Sequence, residues 1–467
     1  MRTLLVLLAG QAMAAMDGSI LVVAAPSLRA DLRATDAELQ LVVVMYTIAF
    51  ATLVVTGARL GDVLGRWRAF ELGLGGFTLA SLGGGLAPSP AALIVARAFQ
   101  GAAGALMTPQ ILSIIQLRFE GERRARAIGA YSLILAVGVA AGQVLGGLVV
   151  SAHVLAGSWR PALLLNAPVG AILLLATRRG MPCGSRDPRP RLDLAGVVLL
   201  STALMALVVP LTFGRDEGWP GWVWPCLVAC AATLSAFVVH EQRTQARGGE
   251  PLLHLEIVGR PGVAAGLAAV VLIMGSYAGF LLSLTLHLQR GLGFTPFEAG
   301  LTFAAYASGF ATASLVWTRA GVTTRERLPV LGPLVMAGAL LGVGLIARDG
   351  GWPTALTTPL LFAGGIGHAC GFSPLANRLT KAVGPAQAAD LSGLVLTASV
   401  VGQVLGVAGF VGVYFGAVPR GSAFALAVTT VVVAWALVAT AACALRTAAV
   451  TGARSPVISH FDARPRP

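Results

Sequence analysis

The sequence predicts an all-α membrane protein that crosses the bilayer many times. Of its 467 residues, 56% are hydrophobic and only 11% are charged, whereas soluble domains contain about 25% charged residues. Apolar runs of about 20 residues, the length of a membrane-spanning helix, recur along the whole chain. These runs lack strand-like alternation, and helices satisfy their own backbone groups in lipid, so helical spans are expected. The composition excludes a soluble cytosolic enzyme.

The apolar runs predict fourteen transmembrane helices, separated by polar stretches too short to bury a core of their own. The first run continues through residues 20–25, which favours a membrane helix over a cleaved signal peptide. The predicted spans are residues 4–26, 41–60, 69–88, 91–116, 127–150, 159–177, 193–213, 221–240, 261–287, 299–318, 328–347, 354–376, 391–417 and 421–445.

The basic residues predict the orientation of these spans. If the N-terminus is cytoplasmic, 25 of the 33 Lys and Arg residues fall on the cytoplasmic side, 7 fall on the outer side, and Arg97 lies inside a span. Loops rich in Arg and Lys stay in the cytoplasm, so both termini are predicted there. Adding or removing one helix would scramble the alternation. The basic excess therefore indicates orientation, and we expect no binding of nucleic acid.

A short repeat suggests how the spans are grouped. The pentapeptide GQVLG occurs at residues 142–146 and again at 402–406. This offset fits two six-helix bundles separated by two additional helices. The predicted division is an N-terminal bundle (1–177), a linker with the two additional helices (178–240), a C-terminal bundle (241–446) and a cytoplasmic tail (447–467).

Several functional classes lack the motif that they need. The only lysine, Lys381, is flanked by Thr380 and Ala382, so the chain has no Gly-x-x-x-x-Gly-Lys-Ser/Thr loop for ATP phosphates. No HExxH or GxSxG motif occurs, and the histidines and cysteines lack metal-ligand spacing. We therefore expect no enzymatic activity, no cofactor and no metal. A polytopic protein with no nucleotide site is typical of secondary transport on an ion gradient.

Two charged residues within the predicted spans carry the main functional signal. A charge at mid-bilayer costs at least about 2.5–3.5 kcal/mol, so such residues are paired and usually functional. At 1.5 Å per residue, Asp17 and Arg97 lie about 14 Å and about 9 Å below the outer ends of their spans. We predict that they face a shared cavity and can form an ion pair, and that Asp17 either carries a proton during transport or attracts a cationic substrate. The alternative is a static pair that fixes helix register.

Residues 57–68, GARLGDVLGRWR, join the second and third spans on the inner side. Gly57, Gly61 and Gly65 lie four residues apart, which allows close helix packing. Asp62 can face the N-terminus of a neighbouring helix or an arginine and form a latch that breaks when the inner side opens. Arg66 belongs to the same predicted inner-gate motif. The alternative is an ordinary cytoplasmic loop with positive charges.

Candidate substrate-binding residues lie at mid-depth in the two bundles. Methionine and aromatic side chains suit a loosely shaped amphipathic ligand, although they are equally good packing residues. His287 and Glu298, at the outer ends of their spans, are either a second protonation site or solvated boundary residues. His368 is expected to form a hydrogen bond between helices. The substrate-binding candidates are Tyr46, Gln100, Met107, Tyr131, Gln143, Met274, Tyr277, Tyr306 and Phe310.

Several motifs in order resemble the major facilitator superfamily, specifically its fourteen-span drug:proton antiporter branch. Residues Met16–Pro26 resemble the first-helix motif of that branch, and residues 57–68 resemble motif A of the superfamily. Arg97–Gly101 is similar to motif B, and Asn166–Gly170 is similar to the entry into the sixth helix. Ser392–Leu394, together with the second GQVLG, is similar to the penultimate helix. The resemblance implies the major facilitator fold, with Asp17 in coupling and Arg97 in proton transfer.

The same resemblance implies proton-coupled efflux of drugs, antibiotics or a self-made metabolite by alternating access. This sequence departs from the motifs of that family at two positions. Gln143 stands where motif C has proline, and Val63 stands where motif A has a basic residue. Import of a small molecule, or a transport-inactive membrane sensor or scaffold, are the alternatives. The excess of Arg, Ala and Gly points to a bacterium with a GC-rich genome, and the expected location is its cell membrane.

Overall fold

The computed structural model describes residues 2–120, 123–124, 126–131, 133–134, 137–138, 141–142, 159–178, 193–214, 218–249, 251–253, 255–383 and 388–452. Helices dominate this part of the chain, and it contains no strand. The N-terminal helices are α1 (Arg2–Leu32), α2 (Asp36–Leu64), α3 (Arg66–Gly85), α4 (Pro90–Arg118), α5 (Arg160–Leu164) and α6 (Asn166–Arg178). The described residues of 123–142 are also helical, and much of the fifth predicted span lies outside the described residues.

The second part of the chain begins with two helices that correspond to the predicted additional spans. A π-helical turn, His287–Gly291, extends α10. The helices are α7 (Leu194–Phe213), α8 (Val223–Ala246), the short α9 (Glu256–Gly259), α10 (Val263–Leu286), α11 (Pro296–Val316), α12 (Val322–Ala347), α13 (Thr354–Ala382), α14 (Ala388–Ala417) and α15 (Ser422–Gly452).

Many of these helices have the length and hydropathy of membrane spans. Within the described residues, 10 helices meet both conditions, and the number rises to 11 if the bent pair Met45–Val54 and Thr56–Leu64 is one span. The prediction of an all-helical membrane protein is thereby confirmed. The total of fourteen spans and the position of the termini stay predictions.

Helix packing explains how distant polar residues come together. In the N-terminal part, α4 packs against α1, α2 and α3. In the C-terminal part, α10 packs against α14 and α15, whereas α13 packs against α11 and α12. The helix α14 also contacts α2, α4 and α7, so it connects the C-terminal helices to the N-terminal ones. The functional side chains therefore project from helices that are packed on several sides.

Candidate functional site

Asp17 and Arg97 form a buried ion pair between α1 and α4. Each residue is only 1% exposed, and Arg97 Nη1 lies 2.5 Å from Asp17 Oδ2. Asp17 lies in the middle of α1, whereas Arg97 lies two turns into α4. The predicted contact between these two residues is therefore present, and its role in proton coupling stays a prediction.

Three further side chains close the network around the carboxylate. Asp17 Oδ1 accepts hydrogen bonds from Gln100 Nε2 at 2.8 Å and from Asn166 Nδ2 at 2.7 Å. Gln100 also donates to Ser81 Oγ at 2.7 Å, and its Oε1 accepts from Arg97 at 2.6 Å. Both carboxylate oxygens thus accept charge-assisted or amide hydrogen bonds, which is the environment that an ionised carboxylate needs when it is buried.

Arg97 has partners besides the carboxylate. Its Nε donates to the carbonyl oxygen of Val42 at 3.3 Å, and its guanidinium carbon lies 4.7 Å from the ring centroid of Tyr46. A cation above an aromatic face is attracted by the ring quadrupole. Arg97 therefore keeps favourable contacts with α2 and with Gln100 if the charge of Asp17 is lost.

Glycines on α4 allow α2 to approach closely enough for these contacts. A Cβ atom at Gly101 would overlap the backbone carbonyl of Tyr46, and one at Gly104 would lie 3.2 Å from the Tyr46 hydroxyl. Gly101 and Gly104 follow Arg97 by one turn and two turns of helix. The small residues thus bring Tyr46 over the guanidinium, and the cation–π contact depends on them.

The glycines of the inner motif have a similar packing role. Cβ atoms at Gly57 and Gly61 would overlap Ala105 and Gln110 of α4, and Gln110 Nε2 donates to the carbonyl oxygen of Gly57 at 2.7 Å. Gly65, which separates α2 from α3, has φ +89, a conformation that favours glycine. Geometry therefore favours glycine at positions 57 and 65, whereas a side chain at position 61 would displace the Gln110 amide that bonds to Gly57.

Asp62, in the last turn of α2, forms ion pairs with Arg59 of the same helix and with Arg66 at the start of α3. Its carboxylate lies 2.7 Å from Arg66 Nη2 and 3.8 Å from Arg59 Nη1. Arg59 also reaches a distant loop, since its guanidinium donates to the carbonyl oxygens of Leu252 and Pro251 at 2.5 and 2.9 Å. The sequence does not predict this contact of Arg59, because nothing in residues 57–68 identifies a partner 193 residues away. The latch function of Asp62 stays a prediction.

Three of the substrate-binding candidates cluster in the C-terminal part. Tyr277 and Tyr306 stack with ring centroids 5.9 Å apart, and Phe310 packs at 4.8 Å against His368. The Tyr306 hydroxyl lies 3.1 Å from His368 Nδ1, which confirms the predicted hydrogen bond between helices at His368. Met274 is buried in the hydrophobic core that contains Tyr306 and against which Tyr277 packs.

The other candidates occupy different surroundings. Met107 and Tyr131 are buried in the hydrophobic core of the N-terminal part, Tyr46 and Gln100 contact Arg97, and Gln143 lies outside the described residues. Within the described ranges, no group of three His, Cys, Asp or Glu residues could hold a metal ion.

The two boundary residues differ from each other. His287 is fully buried, so it is not a solvated boundary residue. The Glu298 carboxylate caps α11 by accepting from the Thr295 backbone N–H at 2.7 Å and the Thr295 hydroxyl at 2.9 Å. A capping contact at a helix start gives Glu298 a structural role.

Sequence reasoning missed two members of the Asp17 network, Asn166 and Ser81. Each is a polar residue with less than one tenth of its surface exposed, on a helix of mostly apolar residues. A polar side chain inside a predicted span is a usable signal, because it needs a hydrogen-bond partner in lipid. The sequence could thus have identified both as candidates, although not as partners of Asp17.

Comparison with known proteins identifies the family. The model of the Major Facilitator Superfamily matches residues 7–407. The chain is 35% identical over 415 residues to a "Probable actinorhodin transporter" of Streptomyces coelicolor, covering 88% of this chain and 72% of that protein. It is 37% identical to "Cephamycin export protein CmcT" of Amycolatopsis lactamdurans, covering 84% and 80%.

A solved structure shows the same fold at low sequence identity. The human organic anion transporter MFSD10 (TETRAN) superposes with a TM-score of 0.66 at 14% identity, covering 95% of this chain and 99% of that chain. The buried charge network, the helix packing and the family match agree. The chain belongs to the major facilitator superfamily and is a multi-pass membrane transporter rather than an enzyme.

Proposed function

We propose that the protein is a proton-coupled secondary transporter that exports small amphipathic molecules, such as antibiotics, by alternating access. The single observation that carries this proposal is the fully buried ion pair of Asp17 and Arg97. The relatives whose names describe a cephamycin exporter and an actinorhodin transporter support the export of such molecules. The exported compound is the cargo, and the proton is the driving ion.

The ion pair provides a chemical basis for coupling. As an ionised pair, Asp17 and Arg97 neutralise each other, and each stabilises the other in a low-dielectric environment. Protonation of Asp17 removes the negative charge and leaves Arg97 without its counter-ion. Removing one partner of a buried pair costs about 3–5 kcal/mol when nothing replaces it. Proton binding therefore changes the stability of this packing arrangement.

The hydrogen-bond network of Asp17 connects several N-terminal helices, so protonation of Asp17 affects the packing of all of them. The network joins α1 (Asp17), α4 (Arg97 and Gln100), α3 (Ser81) and α6 (Asn166). Because Asp17 is 1% exposed, a proton reaches it only after these helices rearrange. We infer that proton access and helix arrangement are linked, as alternating access requires.

We further propose the membrane arrangement predicted by the charge distribution. Fourteen helices cross the cell membrane of a bacterium, and both termini are cytoplasmic. Residues 1–177 and 241–446 form two bundles that move relative to each other, and residues 178–240 contribute the two additional helices. The contacts of α14 with α2 and α4 support direct packing of the two bundles against each other.

The decisive experiment compares Asp17→Asn with Asp31→Asn. Asp31 is a matched control, because it lies on the same helix and pairs with Arg160 at 3.2 Å, but its side chain is 46% exposed. Cells that express each variant are loaded with a fluorescent planar drug such as ethidium, and its efflux is followed with and without a protonophore. Membrane expression of each variant is measured in the same cells.

We expect Asp17→Asn to reduce protonophore-sensitive efflux at least tenfold while the protein stays in the membrane. Asp31→Asn should retain wild-type efflux, because its ion pair with Arg160 is exposed and contributes little, and the asparagine amide oxygen can still accept from the Trp159 indole N–H, which lies 3.0 Å from Asp31 Oδ2. Full efflux by Asp17→Asn would contradict the role of Asp17 in coupling. Energy-dependent accumulation by the wild-type protein would indicate import, and identical behaviour of cells with and without the protein would indicate that it does not transport this probe.

A further inference from the structure

A second polar centre lies in the C-terminal part, at mid-length of α13. His368 is 3% exposed and is surrounded by aromatic rings. The ring of Tyr277 lies 4.9 Å from that of His368, and the ring of Phe310 lies at 4.8 Å in an edge-on arrangement. Tyr306 and Phe372 complete the surroundings at 6.1 and 6.4 Å. We refer to these five residues as the His368 cluster.

Glycines position the cluster by letting α13 approach α11. A Cβ atom at Gly365 would overlap the carbonyl oxygen of Tyr306, and one at Gly364 would lie 3.4 Å from the Tyr306 ring. Because these glycines precede His368 by about one turn, the histidine is held beside the Tyr306 hydroxyl. The arrangement is thus fixed by backbone packing as well as by the hydrogen bond.

The hydrogen bonds around Tyr306 indicate the tautomer of His368. The Tyr306 hydroxyl lies 3.1 Å from His368 Nδ1 and 4.0 Å from Met336 Sδ. If Nδ1–H donated to the Tyr306 oxygen, the hydroxyl would have only the sulfur as its acceptor, and a thioether sulfur accepts weakly. We therefore assign the Tyr306 proton to the bond with Nδ1, and with this assignment the neutral imidazole carries its own proton on Nε2. Nε2 is accordingly a hydrogen-bond donor.

This donor has no partner in the part of the chain that the structure describes. A buried N–H without an acceptor is costly, and most such groups in proteins are satisfied. If His368 only joined α11 and α13, the hydrogen bond of Nδ1 with Tyr306 would be explained, but the Nε2–H group would still lack an acceptor. Tyr277, whose ring flanks His368, is itself partly exposed.

We propose that the His368 cluster is a binding site for planar conjugated molecules that carry a ring carbonyl, with the Nε2–H group of His368 donating to that carbonyl. Stacking on Tyr277 would hold the plane of the ligand, because offset aromatic pairs at 4.5–7 Å are favourable. The inference rests on the proposed function, since it identifies the class of exported molecule. His368 would determine specificity, while Asp17 would provide coupling.

The test measures binding of two fluorescent probes to the purified full-length protein in lipid nanodiscs at one fixed pH. Daunorubicin and ethidium are both planar cations, but only daunorubicin carries ring carbonyls. The variants are His368→Phe, which keeps an aromatic ring without the donor, and His368→Gln, which keeps an N–H donor. Tyr414→Phe is the matched control, because Tyr414 is a buried tyrosine of the same part of the chain that lies outside the cluster.

We expect His368→Phe to raise the Kd for daunorubicin about tenfold, equivalent to about 1.4 kcal/mol, and to leave the Kd for ethidium within about twofold. His368→Gln should recover most of the lost affinity, and Tyr414→Phe should bind both probes as the wild-type protein does. Equal affinities of wild type and His368→Phe for daunorubicin would overturn the proposal, and so would an equal loss for both probes. Because no proton gradient is present, failure of the coupling role of Asp17 would not alter this result.

Discussion

Removal of the positive charge of Arg97 should destabilise the protein, and a second change at Asp17 should restore stability. Arg97→Met keeps an unbranched side chain of similar shape but leaves the Asp17 carboxylate buried without its counter-ion. Combining it with Asp17→Asn removes both charges. The two variants differ by a single side-chain atom at position 17, so their comparison isolates the uncompensated charge.

The structure sets the expected magnitude. Arg97→Met removes the 2.5 Å contact with Asp17, the hydrogen bond to Val42 and the contact with Tyr46. Breaking a buried pair by removing one partner costs about 3–5 kcal/mol. In the double variant, the amide at position 17 keeps an oxygen for Gln100 and Asn166, and its N–H₂ group can donate to the Gln100 Oε1 that Arg97 has left. We therefore expect the double variant to recover at least about 2 kcal/mol.

The assay is unfolding in mixed micelles with increasing SDS, followed by tryptophan fluorescence. Asp31→Asn is again the control and should change the free energy of unfolding by about 1 kcal/mol or less, because its ion pair is exposed. The double variant should regain stability without regaining proton-coupled efflux. A double variant no more stable than Arg97→Met would refute the view that the two charges compensate each other.

Two further predictions concern the inner loops and the membrane arrangement. Arg59→Met should speed tryptic cleavage at the exposed Arg247 severalfold, because it removes the hydrogen bonds to Pro251 and Leu252. Arg66→Met leaves those bonds intact and is the control. Equal cleavage rates in the two variants would contradict anchoring of the 251–252 segment by Arg59. Alkaline phosphatase fused after Glu217 should be active outside the cell, whereas fusions after Ser185 and Glu250 should be inactive, and activity at Glu250 would rule out the fourteen-span arrangement.

Hydropathy and charge are local properties, and this explains why the sequence was sufficient for much of the fold. The bounds of α4 and α7, Pro90–Arg118 and Leu194–Phe213, lie within a few residues of the predicted spans 91–116 and 193–213. The prominence of Asp17 and Arg97 follows from the cost of a charge in lipid, which requires no knowledge of neighbours. Their similar depth was also sufficient to suggest that they pair.

Only the tertiary structure decided which neutral polar groups complete the sites. Asn166 lies 149 residues from Asp17 along the chain, and Gln100 lies 83 residues from it, so no sequence window contains the network. The partner of His368 likewise depends on the approach of α11 to α13 at Gly365. The sequence by itself determined the helices and the residues that must find partners, because burial of polar groups in lipid is costly for each residue separately. The choice of partners belongs to the tertiary structure, because it depends on how closely packed helices bring distant residues together.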